Sequence, residues 1–168
     1  KRSRWLLYGY GVAAQRILNA AVKHPDFRAS DVVVSGRDPV KTATFANHFG
    51  VESRPFDLNA AGEHISDVQL VLHCAGPSVH TSAPMLNACL AHGVHYLDIT
   101  GELGVFRDCH LRHAEALTSN IVILPGVGTD VVPTDCLVRA LSAQMPNAVE
   151  LSLALLKSGS ARSGGTMK

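Results

Sequence analysis

Gly9-Tyr10-Gly11-Val12-Ala13-Ala14 has the spacing G-x-G-x-x-G/A, preceded by the apolar run Trp5-Leu6-Leu7-Tyr8 and followed by an amphipathic stretch. A glycine turn between a strand and a helix has a definite chemical use. Gly9 permits the tight bend, Gly11 lets a ligand reach the backbone, and Ala14 allows the helix to lie close to the sheet. The first N–H groups of the helix, those of Val12 and Ala13 among them, have no partner inside it and sit at the positive end of its dipole. A diphosphate is the ligand such a turn fits, which points to a dinucleotide.

The next strand ends in Val34-Ser35-Gly36-Arg37. A domain that selects NAD(H) carries Asp or Glu there, about 20 residues beyond the glycines, to hold the ribose hydroxyls. Here Ser35 can donate a hydrogen bond and Arg37 can pair with a 2′-phosphate and stack on adenine, whereas a carboxylate would repel that phosphate. The expected cofactor is therefore NADP(H) in preference to NAD(H). The opposing reading of Arg37 is a solvated surface arginine, and Asp38 beside it offsets its charge.

Later strand ends offer further groups. Asp57 suits either the adenine amino group or the N-cap of a short helix. Cys74-Ala75-Gly76-Pro77 forms a wall of small residues for the nicotinamide half, with Gly76 permitting the closest approach. Cys74 itself reads as a buried apolar residue before it reads as a nucleophile. Asp98 and Glu102, in Tyr96-Leu97-Asp98-Ile99-Thr100-Gly101-Glu102, could relay a proton or bind a substrate amine, as could Asp130. Glu102 is equally suited to capping a helix. His110 and His113 share a helix face near Cys109 but lack a third ligand, so no metal site is expected. No tyrosine is followed four places on by lysine, which disfavours short-chain dehydrogenase chemistry.

The elements that must hold these residues alternate in period. Strands are expected at Trp5 to Tyr8, Val32 to Ser35, Val51 to Phe56, Gln69 to Cys74, His95 to Ile99 and Ile121 to Leu124. Helices are expected at about Val12 to Lys23, Val40 to Phe49, Ala60 to Ile65, Ala83 to His92, Val105 to Thr118 and Thr134 to Gln144. That order predicts an α/β fold, a doubly wound parallel sheet of the Rossmann type with ligands beyond the carboxyl ends of its strands. Residues 1–148 form the expected NAD(P)-binding domain. Residues 149–168, an apolar run and then a Ser/Gly-rich tail, are expected to begin, or lead to, a second domain.

With 168 residues, 46% of them hydrophobic, the chain can bury one substantial core. Fifteen basic and fourteen acidic residues give a net charge of +1, which provides no attraction for nucleic acid or an anionic membrane. Val68 to Leu97 lacks Asp, Glu, Lys and Arg, but Pro77, Pro84, Gly76 and Gly93 interrupt it, so it reads as dry central strands and a covering helix, not a membrane span. The basic start followed by Trp5-Leu6-Leu7-Tyr8 is too broken by glycine for a signal peptide. The four cysteines form no C-x-x-C pair and are expected to be reduced thiols in the cytoplasm.

Taken in order, Ser35-Gly36-Arg37, Cys74-Ala75-Gly76-Pro77, His95 through Glu102, Leu124 through Gly128 and Val131-Val132-Pro133-Thr134-Asp135 resemble the saccharopine dehydrogenase-like oxidoreductases, including their trans-acting enoyl reductase branch. The resemblance implies an NADP(H)-binding Rossmann domain followed by a second α/β domain that closes the cleft over a small-molecule substrate and often supports a homodimer. The enoyl reductase branch usually carries G-A-T-G-Y in its first turn, and Gly9-Tyr10-Gly11 looks closer to the G-x-G-F-V-A turn of saccharopine reductases. The expected reaction is hydride transfer to or from a C=N, C=C or C–N substrate. Two other classes share the glycine turn. A regulatory domain could bind NADP(H) without turnover; an S-adenosylmethionine methyltransferase wants an acid where Ser35-Gly36-Arg37 stands.

Overall fold

The computed structural model describes residues 4–129 and 131–154. Apolar four-residue runs make the central strands: β1 (Trp5–Tyr8), β2 (Val32–Ser35), β4 (Leu70–His73) and β5 (His95–Asp98). Two shorter strands, β3 (Glu52–Ser53) and β6 (Ile123–Leu124), form the edges. All pairings are parallel and the order is β3-β2-β1-β4-β5-β6. The sheet is thus the expected Rossmann arrangement, and its order reverses between β1 and β4, where Tyr8 stands opposite His73.

Two cores follow from strand alternation. Leu7, Val32 and Val34 face α1 (Val12–Ala21) and α2 (Pro39–Phe49) through Ala14, Leu18 and Ala46. Leu6, Tyr8, Val33, Val71 and Tyr96 face the other way, against α3 (Ala61–His64), α4 (Ser78–His92), α5 (Leu103–Leu111) and α6 (His113–Thr118). Leu6, Leu7 and Leu18 are wholly buried, and each such side chain contributes roughly 1.5–3 kcal/mol to keeping the layers together. β2 is buried on both faces, which is why its sequence, Val-Val-Val-Ser, shows no polar alternation.

Local signals set most boundaries. Asp38 caps α2 by accepting from the Lys41 N–H at 3.0 Å, Pro39 opens it, and Gly50 closes it at φ +66°. Several elements differ from the sequence reading, β6 among them, which keeps only Ile123–Leu124 of Ile121 to Leu124. α4 starts at Ser78, five residues before Ala83, because Pro84 sits within the helix instead of at its first turn. The single helix expected from Val105 to Thr118 is two, divided at Arg112, whose guanidinium bonds Asn87 and Glu115. β3 keeps only two residues of Val51 to Phe56; beyond it the Arg54 N–H reaches the Val34 carbonyl and the Phe56 N–H that of Gly36.

α7 (Val132–Gln144) buries none of its residues, and residues 149–154 are exposed without helix or strand. Asp130 and residues 155–168 lie outside the described residues. No described helix is long and apolar enough to cross a membrane, and no three His, Cys, Asp or Glu side chains among the described residues are grouped to hold a metal.

Candidate functional site

The strand ends meet at the point where the sheet order reverses. Gly9 adopts φ +124° and donates its N–H to the Ser35 carbonyl at 2.8 Å. A Cβ on it would lie 3.1 Å from the Cys74 carbonyl carbon and 3.2 Å from the Ala75 nitrogen, so both conformation and crowding demand glycine. Gly11 differs. It opens α1 with φ −82° and ψ −173°, and a Cβ there would meet nothing within 4 Å.

That open side leads to the start of α1, which has no side-chain cap and no acid in its first turn. α2 and α4, by contrast, have carboxylates at their N-termini, from Asp38 and Glu102. Of these three helices α1 is the one whose first amides, around Val12 and Ala13, stay free for an external anion. Ala14, wholly buried, keeps α1 against the sheet, and Tyr10 is half-buried beside the β2 end. The glycine turn thus fits a dinucleotide diphosphate.

At the β2 end, Arg37 is exposed with no hydrogen-bond or ion-pair partner among the described residues. Asp38 does not claim it: one carboxylate oxygen takes the Lys41 N–H and the other lies 3.6 Å from Lys41 Nζ. That backbone N–H, with the Lys41 charge, holds the Asp38 carboxyl below the usual range. Ser35 departs from expectation. It is wholly buried, and its hydroxyl donates to the Arg54 carbonyl at 2.6 Å, so its donor fastens β2 to the chain beyond β3 and is not available to a phosphate. Asp57 is exposed and caps the short turn Leu58–Ala60 by accepting from the Asn59 N–H at 3.0 Å.

Across the crevice, Cys74, Ala75, Gly76 and Pro77 join β4 to α4. Gly76 is exposed, and a Cβ on it would meet only the Ser78 nitrogen at 3.8 Å, which leaves the wall open to close approach. Burial, reinforced by the Asp98 charge, pushes the Cys74 thiol up to about 12, so it stays protonated and weakly nucleophilic. The Thr81 hydroxyl lies 2.7 Å from the Ala75 carbonyl and 3.0 Å from His73 Nε2. Its one hydrogen goes to the carbonyl, so Nε2 carries the imidazole proton by this assignment and Nδ1, buried, has no partner. Burial pulls His73 down to about 4 and keeps it neutral. A histidine ending the otherwise apolar strand Leu70–His73 is the sequence signal for this linkage.

The two carboxylates of the fifth strand end are both engaged internally. Asp98 is wholly buried: Oδ2 accepts from the Tyr96 hydroxyl at 2.8 Å, and Oδ1 from the Thr100 and Gly126 N–H groups at 3.0 and 2.9 Å. Its backbone carbonyl takes the Val127 N–H at 2.8 Å, so one residue fixes both the β5 and β6 turns. Burial, then the adjacent Asp98 charge, drives the Tyr96 phenol far above its ordinary range. Glu102 accepts from the Ser78 and Val79 N–H groups at 2.9 and 2.7 Å.

A family model for the saccharopine dehydrogenase NADP binding domain matches residues 5–123. The chain is 27% identical over 119 residues to a trans-acting enoyl reductase of Mycobacterium ulcerans (strain Agy99), a match covering 66% of this chain and 28% of that protein. It is 30% identical over 98 residues to a saccharopine dehydrogenase-like oxidoreductase of Rattus norvegicus, covering 55% of this chain and 22% of the relative. Among solved structures, apo saccharopine dehydrogenase (L-Glu forming) from Saccharomyces cerevisiae superposes with a TM-score of 0.71 at 16% identity, over 86% of this chain and 32% of that one, which shows a shared fold. The chain thus spans less than a third of the length of each of these proteins.

Proposed function

The chain belongs to the family of saccharopine dehydrogenase NADP-binding domains, and from that premise we propose that it is the cofactor-holding part of an NADP(H)-dependent oxidoreductase acting on a small molecule with a C=N, C=C or C–N bond. The observation that carries this reading is the pairing of an uncapped α1 N-terminus behind Gly9 and Gly11 with an unpartnered Arg37 one strand away. Val12 and Ala13 would bind the diphosphate through their amides, Arg37 the 2′-phosphate, and Gly76 with its neighbours would border the nicotinamide half. Bound nicotinamide dinucleotide supplies the hydride chemistry.

The protein's own part is then to bind, orient and exclude. Asp98 and Glu102, offered by sequence as proton relays or amine ligands, act in our reading as positioning residues, because every carboxylate oxygen they possess already meets a donor inside the fold. His73, neutral and buried, holds the Cys74–Pro77 wall through Thr81. Residues 1–148 form the cofactor unit in this reading. Residues 149–168 lead toward a second domain that brings the substrate side of the cleft and a homodimer contact. A cytoplasmic setting suits the four free cysteines.

The test is NADPH oxidation by the chain alone and by a longer protein that contains it, on addition of imine or enoyl substrates. Cofactor binding by both with substrate-dependent turnover by the longer one supports the proposal. Tight binding without turnover across both substrate classes would assign a regulatory role instead.

A further inference from the structure

Gly36 is buried, yet its φ lies outside the left-handed region, so its backbone asks for no glycine. The reason for glycine here is steric. A Cβ built on Gly36 would stand 2.5 and 2.8 Å from Cε1 and Cδ1 of the Tyr10 ring and 3.2 Å from the Thr42 hydroxyl. Real Cβ atoms do not approach ring carbons so closely, because such contacts fall deep in the repulsive part of the potential. Thr42 cannot give way easily: it is wholly buried and its hydroxyl bonds the Asp38 carbonyl at 2.7 Å. Only the ring can move. Tyr10 is half-buried and borders a cleft of about 490 Å³ between α1 and α2, lined also by Gln15, Val40 and Phe45, which gives the ring somewhere to go.

We propose that Tyr10 is a specificity-determining residue: its ring fills the place at the end of β2 where a side chain would stand, and so keeps that position free of the carboxylate that NAD-selecting domains carry. The inference rests on the function proposed above. It adds that selectivity is written partly in the glycine turn, one strand away from where the 2′-phosphate is met. Tyr10 and Gly36 then form one unit, and changing either alone disturbs the other. Adding a side chain at position 36 expels the ring from beside the turn and weakens both cofactors. Adding it after the ring has been removed leaves the turn in place and lets the new group select.

Four proteins test this: the parent chain, Gly36→Asp, Tyr10→Ala and the double variant, each titrated with NADPH and with NADH. Gly36→Asp alone is expected to weaken both nucleotides about tenfold, and the double variant to recover NADH affinity and lower the NADPH-to-NADH preference by about tenfold, as for residues in direct contact. A single Gly36→Asp change that switches preference as fully as the double would overturn the inference while leaving the proposed function intact. Parent protein that binds neither nucleotide defeats the function itself. Thermal melting then still reads the pair: Gly36→Ala should lower Tm in the Tyr10 background and leave it nearly unchanged in the Tyr10→Ala background. Equal losses in both backgrounds would remove the steric coupling.

Discussion

Glu102 opens α5 but caps α4: its Oε2 accepts the Val79 N–H at 2.7 Å while Oε1 takes that of Ser78, so one side chain ties the turn after β5 to the turn after β4. Removing it leaves two helix N–H groups without partners. Glu102→Ala should therefore lower unfolding free energy by about 1–2 kcal/mol, as for loss of a cap, measured by urea denaturation. Glu102→Gln should lose less, since an amide oxygen still accepts one of the bonds. Unchanged stability in both would mean that the bonds carry no weight in solution.

Asp98→Asn is expected to be more damaging. Three donors converge on the buried carboxylate, and an amide would turn its own N–H₂ toward at least one of them. A loss of about 3 kcal/mol is expected, with exposed Gly126-Val127 amides in hydrogen exchange. A fully stable variant that binds cofactor but has lost turnover in the longer protein would return Asp98 to a catalytic role.

Acid sensitivity should come in part from His73. Its folded-state value of about 4 lies below the ordinary 6.5, so between these limits the unfolded chain binds the extra proton and stability falls as pH drops. The full effect below pH 4 is on the order of 3 kcal/mol, and the stability of His73→Phe should fall less steeply than that of the parent between pH 6.5 and 4. Parallel slopes would remove the assignment.

Thiol reactivity should divide cleanly. Burial pushes Cys74, Cys89 and Cys109 each up to about 12, whereas Cys136 is exposed on α7. Brief iodoacetamide treatment of native protein near neutral pH should label Cys136 and spare the other three, as read by peptide mass. Rapid labelling of Cys74 would show that the wall after β4 is more open than described.

What the sequence disclosed and what it hid have separate physical causes. β1, β2 and the glycine turn were legible because each depends on neighbours a few residues away: an apolar run, then Gly9 and Gly11 at fixed spacing. α4 began earlier than expected because Pro84 looks like a helix start when its tertiary setting is unseen. The direction of the Ser35 hydroxyl depends on Arg54, 19 residues on, and the partners of Glu102 lie 23 and 24 residues back. Neither spacing leaves a local trace. Tyr10 was legible as part of the turn, but its hold over Gly36 was not, because a glycine excluded by a distant ring looks the same as one chosen for its backbone.

In the proposed function a diphosphate rests at the start of α1 and a 2′-phosphate meets Arg37. Calorimetric titration of the parent chain and of Arg37→Ala with NADPH and NADH tests it most directly. The parent should bind NADPH more tightly than NADH, and the variant should lose about 1–3 kcal/mol for NADPH with little change for NADH, as for removal of a charge-assisted contact. Equal losses for the two nucleotides, or no binding of either by the parent, would contradict it.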